Sequence, residues 1–288
     1  MILARIFSKM FKEGGIILVD SKGQKYICGN PKKENPITLK LLKENLNWKL
    51  LLDPELEFPE AYMRNEIIIE HISRRIPVFE KFLEVGCGTG CVLNAIFERF
   101  PGKTFHGTEY SDEGLKFARL RIPGVEFTQL DARKMDQIEC YDVIGSFDVL
   151  EHIKEDKLVL ENFYTALKPD GYLVLTVPQH MWLWSAADEY ACHCRRYTRG
   201  QMVDNLRNAG FQIEYTTSFI SLLCPIMFLS RLRFKRTEQI TDPMCELKIS
   251  KPLNWLLCQI MQFEIFMMKI GIRFPIGGSL LVIAKKTI

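Results

Sequence analysis

Residues 81–90 read KFLEVGCGTG, a strand-like run that ends in an acid, Glu84, and three glycines at alternate positions, Gly86, Gly88 and Gly90. Glycines at a strand-to-helix turn let a ligand lie against the backbone, where a Cβ would collide. The spacing distinguishes between ligands. A dinucleotide turn needs its third glycine one residue later, so that pyrophosphate meets the free amides of the following helix. An acid at Glu84 also repels phosphate, yet it can anchor the amino group of a zwitterionic amino-acid moiety. Nineteen residues past Gly90, Glu109 ends the next apolar run, where a carboxylate can accept hydrogen bonds from both hydroxyls of a ribose. Tyr110 beside it can pack on an adenine, and Asp131-Ala132 is spaced to meet an adenine amino group. Phe147, which opens FDVLEHI, completes this candidate ligand-binding set.

A second group of residues carries acid–base chemistry. His152 follows the run ending in Phe147, at the carboxyl ends of parallel strands where open α/β sheets bind ligands. It is a candidate general base or polar contact for a second substrate; the alternative is a histidine at a helix N-terminus bonded to nearby backbone. Glu151 can instead favour the dipole of that helix. The segment 177–202, VPQHMWLWSAADEYACHCRRYTRGQM, adds His180 as a second catalytic candidate. It also holds Trp182, Trp184, Asp188, His193, Arg196 and Tyr197 as candidate substrate contacts. A loop this dense, leaving the sheet at its active end, reads as the cover of a substrate site. The competing reading packs the tryptophans as core and leaves Arg195 and Arg196 as a solvated pair bonded to Asp188 and Glu189. Cys192-His193-Cys194 offers metal-ligand chemistry, but a site needs four ligands and no second cluster such as C-x-x-C lies elsewhere, so no metal is expected. Thr198 reads as the N-cap of a helix continuing to Ala209, with Gly210 closing it.

These residues need a scaffold, and the hydrophobic pattern supplies one. From Lys81 onward, apolar runs at 81–85, 104–108, 125–129, 142–147, 172–177, 211–217 and 279–285 are mostly separated by intervals of helix length. That alternation predicts an α/β fold with a doubly wound, mostly parallel sheet covered on both faces. Ahead of it, residues 1–63 form a small α+β appendage. Its runs 16–19 and 24–28 flank a turn with Asp20 and Gly23 and read as a hairpin, and Leu39, Leu42, Leu46 and Leu50 then recur at helical spacing until Asp53-Pro54. Residues 64–288 are the main domain.

The set E-x-G-x-G-x-G, D-V-L-E-H-I (148–153) and L-K-P-D-G (167–171) resembles the class I S-adenosylmethionine (SAM) dependent methyltransferases, over residues 81–218 and the last strand. The resemblance implies a Rossmann-like seven-stranded sheet whose last strand runs antiparallel between the fifth and sixth, SAM as cofactor, and methyl transfer to a small-molecule or lipid-like acceptor. Relatives by these motifs often carry a P-x-H-x-W-L-W-S-x-x-D-E segment ending in R-R-Y-T, as this chain does from Pro178 to Thr198. Residues 14–63, with D-P-E-L ahead of E-A-Y-M, resemble the N-terminal region of cyclopropane fatty-acyl phospholipid synthases. That points to lipid-like acceptors, with a cyclopropane-type lipid enzyme and a non-catalytic SAM-binding module as the alternatives.

Composition sets the remaining bounds. Hydrophobic residues at 47% and charged residues at 25% argue for an ordinary globular chain. A net charge of +3 and no basic stripe interleaved with aromatics argue against nucleic acid as a partner. Nine cysteines scattered through apolar segments read as reduced core residues, which suggests a cytoplasmic protein. Residues 219–276 separate the last two strands by far more than a hairpin needs. They contain two apolar stretches, one before Arg231, Arg233, Lys235 and Arg236, the other interrupted by Glu264. Both are too short or too polar to span a bilayer, and they read either as helices packed on the sheet or as a lid over the acceptor that touches the membrane peripherally.

Overall fold

The computed structural model describes residues 16–19, 25–28, 59–234 and 251–287. Strands β1 (Ile16–Val19) and β2 (Lys25–Cys28) pair antiparallel, as the hairpin pattern predicts. The helix expected around Leu39 to Leu50, and Lys235 and Arg236 of the basic cluster, lie outside the described residues.

The main sheet has seven strands: β3 (Lys81–Val85), β4 (Thr104–Glu109), β5 (Glu126–Gln129), β6 (Tyr141–Phe147), β7 (Leu167–Pro178), β8 (Phe211–Phe219) and β9 (Ser279–Lys286). Their spatial order is β5-β4-β3-β6-β7-β9-β8. β3 to β7 are parallel, and β9 runs antiparallel to both β7 and β8 between them. Successive side chains of a strand point to opposite faces, and the sequence uses both faces for core. Phe82, Val143, Val174, Leu281 and Ile283 join one apolar cluster, while Leu83, Ile144, Leu173, Leu175, Leu280 and Val282 join the other. This is why the strands read as continuous apolar runs rather than alternating ones.

Helices α2 (Cys91–Arg99), α3 (Asp112–Arg121), α4 (Asp156–Ala166), the short α5 (Ala186–Tyr190) and α6 (Arg199–Asn208) connect the strands. Thr198 caps α6 as predicted, its hydroxyl accepting from the Gln201 amide while the Gln201 side chain accepts from the Thr198 amide. Gly210 follows the helix at φ +98°, the left-handed geometry that closes such a turn.

Three further helices complete the described fold. Preceding the sheet, α1 (Pro59–Arg75) buries Met63, Ile67, Ile68, His71 and Ile72, whose spacing marks one helical face. Beyond β8 come α7 (Cys224–Phe234) and α8 (Lys251–Lys269). The apolar run from Phe219 is not one helix: Phe219 ends β8, and a turn over residues 220–223 precedes α7. Glu264 explains that turn. Its carboxylate is fully buried and accepts from the amides of Ser221 and Leu222, both at 2.8 Å, so the charged residue in the apolar stretch faces protein backbone. On α8, Met261, Ile265 and Met268 join the same core cluster as α1, and the two helices are clipped by Lys269 Nζ to Glu66 Oε1 at 2.7 Å.

Candidate active site

The loop after β3 holds the first candidate group. Gly86, Gly88 and Gly90 all adopt positive φ, at +78°, +57° and +80°. At Gly86 an added Cβ would lie 2.5 Å from a methyl of Val149, so only glycine lets the loop pass beneath the segment that follows β6. Glu109, buried at the end of β4, accepts from the Gly88 amide through Oε2 and from the Ser111 amide through Oε1, each at 3.0 Å. One carboxylate therefore pins the glycine loop and sits at the mouth of the crevice.

Glu84 is the penultimate residue of β3, two positions before Gly86. It is 1% exposed, and its Oε2 has no hydrogen-bond partner. Burial pushes its carboxyl up to about 8, against the pull of Arg64, so the site presents a desolvated acid that a cation would satisfy. Arg64 itself reaches from α1 to Asp148 Oδ2, while Asp148 Oδ1 accepts from Thr176. Neither Arg64 nor Asp148 is marked by the spacing of the glycine motif.

Of the remaining candidates, Tyr110 is exposed beside Glu109, and Asp131 is turned toward its neighbour Arg133. The Arg133 guanidinium holds the Asp131 carboxyl below its usual range. Ala132 is buried and opens the 3-10 turn Ala132–Lys134. Phe147 is placed in the sheet core, where its ring and that of Phe82 both lie over Gly145.

The acid–base candidates are arranged differently from the expectation of a helix N-terminus. Glu151 and His152 lie in the 3-10 turn Leu150–His152, and α4 starts only at Asp156, so Glu151 does not serve a helix dipole. Both side chains are fully buried, and burial pushes the Glu151 carboxyl well above its ordinary range. His193 is brought from the 177–202 segment against them, its ring edge-on to His152 with centroids 4.6 Å apart. The remaining polar groups of that segment divide in two. Asp188 takes a two-point bond from Arg196, Nε to Oδ1 at 2.8 Å and Nη2 to Oδ2 at 3.0 Å, and accepts from His193 Nδ1 at 2.8 Å. This pair is buried rather than solvated, and Arg195 bonds Asp156 instead of Glu189. Tyr197 donates its hydroxyl to Asp156 at 2.8 Å and is 3% exposed, so it anchors the segment inward. His180 and Trp182, by contrast, stack at 5.0 Å near the surface, and Trp182 meets Phe228 of α7 edge-on at 5.4 Å. Trp184 is partly exposed and donates weakly, at 3.4 Å, to Glu189.

An apolar cleft opens beside Arg64, lined with it by Phe219, Ile220, Leu223 and Met261. It lies where β8, the turn before α7, and α8 meet α1. Sequence periodicity could not place it, because its walls come from four separate elements.

With this geometry in hand, residues 83–173 match a family described as a methyltransferase domain. A ubiquinone biosynthesis O-methyltransferase of Pseudomonas savastanoi pv. phaseolicola is 31% identical over 126 residues, which is 41% of this chain and 53% of that protein. The chain spans between about half and 60% of the length of the curated relatives that it matches first. Among solved structures, a phosphoethanolamine N-methyltransferase 2 of Haemonchus contortus in complex with S-adenosyl-L-methionine is similar at a TM-score of 0.54 and 17% identity, covering 92% of this chain and 63% of that one. The [4+2]-cyclase SpnF is similar at 0.52 and 19%, covering 80% and 83%. Likeness at this level concerns the fold, and this fold carries more than one chemistry.

Proposed function

We propose that the chain, whose residues 83–173 match a methyltransferase-domain family, is a class I SAM-dependent methyltransferase that binds SAM at the glycine loop and transfers the methyl group to a small, largely apolar or lipid-like acceptor. The observation that carries the reading is Glu84, a buried carboxylate with an unpartnered oxygen just before a loop whose backbone only glycines can form. A ligand that brings an ammonium group to this acid and hydroxyls to Glu109 fits the residues present, and a phosphate-bearing dinucleotide does not. Gly86, Gly88 and Gly90 would give the backbone access, Glu84 would take the amino group, Glu109 the ribose, and Tyr110, Asp131 and Ala132 the adenine.

When bound, SAM supplies an electrophilic methyl group on a sulfonium, so the chain's own task is positioning and exclusion of water. Arg64, tied to Asp148, holds α1 over the loop. His152 and His180 are the proposed proton acceptors or polar contacts for an acceptor hydroxyl or amine. Trp182 is the proposed apolar contact for the acceptor, and Trp184 and His193 are proposed to flank it. Asp188, Arg196 and Tyr197 act on the acceptor through the shape of the loop they brace.

The same reading extends to the surface. Leu256, Phe263 and Phe266 are exposed along one side of α8, with Ile270 just past its end, and Ile226, Phe228 and Leu229 on α7. No helix among the described residues is long and apolar enough to cross a membrane. We take these exposed faces as a peripheral contact through which an apolar acceptor is collected.

Calorimetry with SAM and with NAD tests the cofactor, and labelled SAM incubated with fractionated extract tests the acceptor. SAM should bind to the wild type and at least ten-fold more weakly to Glu109→Ala, with label entering the lipid or apolar fraction. Binding of NAD but not SAM, or unchanged SAM affinity in the variant, would reject the proposal.

A further inference from the structure

Glu151, His152 and His193 bring one carboxylate and two imidazoles together inside the protein, every ligand atom within 4.8 Å of the others. From this constellation we propose a binding site for a divalent transition-metal ion of the zinc class, separate from the SAM-binding residues; with the ion bound, His152 is its ligand and the proton-acceptor role proposed above falls to His180 alone.

The set is N₂O, a chemistry that suits zinc and its first-row neighbours rather than magnesium or calcium, which prefer all-oxygen shells. The distances suit a contracted site. Glu151 Oε1 stands 3.8 Å from His152 Nε2 and 3.9 Å from His193 Nε2, too long for hydrogen bonds. Ligands at about 2.1 Å from a tetrahedral ion stand about 3.4 Å apart. The two Glu151–histidine separations are about half an ångström longer than that, and the whole cluster lies within 4.8 Å.

Two independent observations indicate that these groups await a ligand. Both carboxylate oxygens of Glu151 are buried without a hydrogen-bond partner, in a side chain with no solvent exposure, and His193 Nε2 is likewise buried and unpartnered. A buried carboxylate left this way is costly unless it is neutralised or coordinated.

The second observation is the support behind His193. Its Nδ1 lies 2.8 Å from Asp188 Oδ1, and Asp188 is locked as an acceptor by Arg196 and by the Ser185 amide. An acceptor there makes Nδ1 the donor and, in the neutral ring, turns the Nε2 lone pair toward Glu151 and His152. A carboxylate behind a histidine is the usual outer support of a metal-ligating imidazole.

The site also explains the Cys192-His193-Cys194 run. Its histidine points into the cluster, whereas both cysteines are exposed, Cys192 Sγ toward Tyr190 O and Cys194 Sγ toward His152 O. The Cys194 amide donates to Glu151 O at 2.6 Å, so backbone bonding fixes the loop that delivers His193 against the turn that delivers the other two ligands. With three protein ligands, at least one coordination position is left for an oxygen or nitrogen of a small molecule.

The full chain, stripped with chelator and dialysed, should be titrated calorimetrically with Zn²⁺ alone and loaded with Co²⁺ for its visible spectrum. One ion per chain should bind, with Co²⁺ bands typical of a four- or five-coordinate N/O site. Glu151→Gln and His193→Gln should each weaken binding at least about 100-fold, and Asp188→Asn about 10- to 100-fold. The double variant Cys192→Ser/Cys194→Ser should bind as the wild type does. Circular dichroism and a SAM titration on the same samples establish that each variant is folded. The site is wrong if SAM-competent wild-type protein takes up no stoichiometric Zn²⁺. It is equally wrong if Glu151→Gln and His193→Gln bind it unchanged, or if removing the cysteines abolishes binding. Zinc binding without SAM binding would instead support this site and count against the methyltransferase reading.

Discussion

Arg64 of α1 reaches Asp148, the first residue after β6, with Nη1 2.5 Å from Oδ2 across 84 positions of sequence. The contact joins the helix ahead of the sheet to the turn against which Gly86 packs. Arg64 is also the strongest opposing influence on the raised Glu84 carboxyl.

The pair is partly exposed, so Arg64→Ala should change stability by no more than about 1 kcal/mol. Its effect on SAM affinity should be larger, about ten-fold, or about 1.4 kcal/mol, because α1 loses its tether over the loop. Calorimetric SAM titration alongside urea denaturation separates the two effects; a stability loss without a change in affinity would make the pair purely structural.

Glu84 sets a pH dependence on one side. Its folded-state carboxyl is raised to about 8 from 4.5, so between those values the native protein holds a proton that the unfolded chain has lost. Stability from this group is full below 4.5 and declines as pH rises toward 8, by about 1.4 kcal/mol per unit. Glu84→Gln should remove that slope and be more stable than the wild type at pH 8 without ligand. An ammonium brought to Glu84 favours the ionised form, so SAM binding near pH 7 should release a proton. Calorimetry in buffers of different ionisation enthalpy measures it.

His71 acts in the opposite sense. Its Nδ1 donates to Ile67 O at 2.9 Å and its Nε2 lies 3.1 Å from the Tyr215 hydroxyl, and burial lowers its folded-state value to about 4 from 6.5. Between those values the unfolded chain binds a proton that the native ring refuses. The stability it contributes is complete above 6.5 and is lost as pH falls toward 4, on the order of 3 kcal/mol in all. From about 4.5 to 6.5 the slopes of Glu84 and His71 oppose each other. Denaturation midpoints of His71→Gln, relative to the wild type, should therefore fall more steeply with rising pH in that window; parallel curves would show that the ring is not a buried neutral acceptor.

The sheet and glycine loop are legible in the sequence because their signals are local. Seven apolar runs at helix-length intervals give the strands, and Glu84, Gly86 and Glu109 lie within or at the ends of those runs. The last strand's place between β7 and β8 rested on the resemblance, since no periodicity encodes strand order. What escaped the sequence are contacts between distant segments: Arg64 with Asp148, Glu264 with the turn before α7, and His193 with Glu151 and His152. Cysteine spacing does not reveal the last of these, because His193 lies 42 and 41 residues from Glu151 and His152, and the two cysteines beside it are exposed. Tyr197 and Arg196 illustrate the converse, since residues rich in chemistry were spent on holding a loop.

The sequence of α8 is apolar on two sides: Met261, Ile265 and Met268 pack into the core, while Leu256, Phe263 and Phe266, with Ile270 just past the helix end, form an exposed stripe. Exposed aromatic and aliphatic residues aligned in this way mark a surface that meets another apolar phase more often than they occur by scatter. The basic residues Arg231 and Arg233 fall on α7, whose own Phe228 touches Trp182. A helix of this kind binds at the headgroup boundary through apolar burial reinforced by charge, and the electrostatic part weakens with salt. In flotation assays the full chain should rise with vesicles containing anionic lipid and less so at high salt. Replacing Phe263 and Phe266 together by Ser should reduce the bound fraction at least ten-fold without altering SAM affinity, since neither side chain reaches the core. Binding that ignores both the lipid charge and the double replacement would mean that the stripe serves a protein partner or no partner at all.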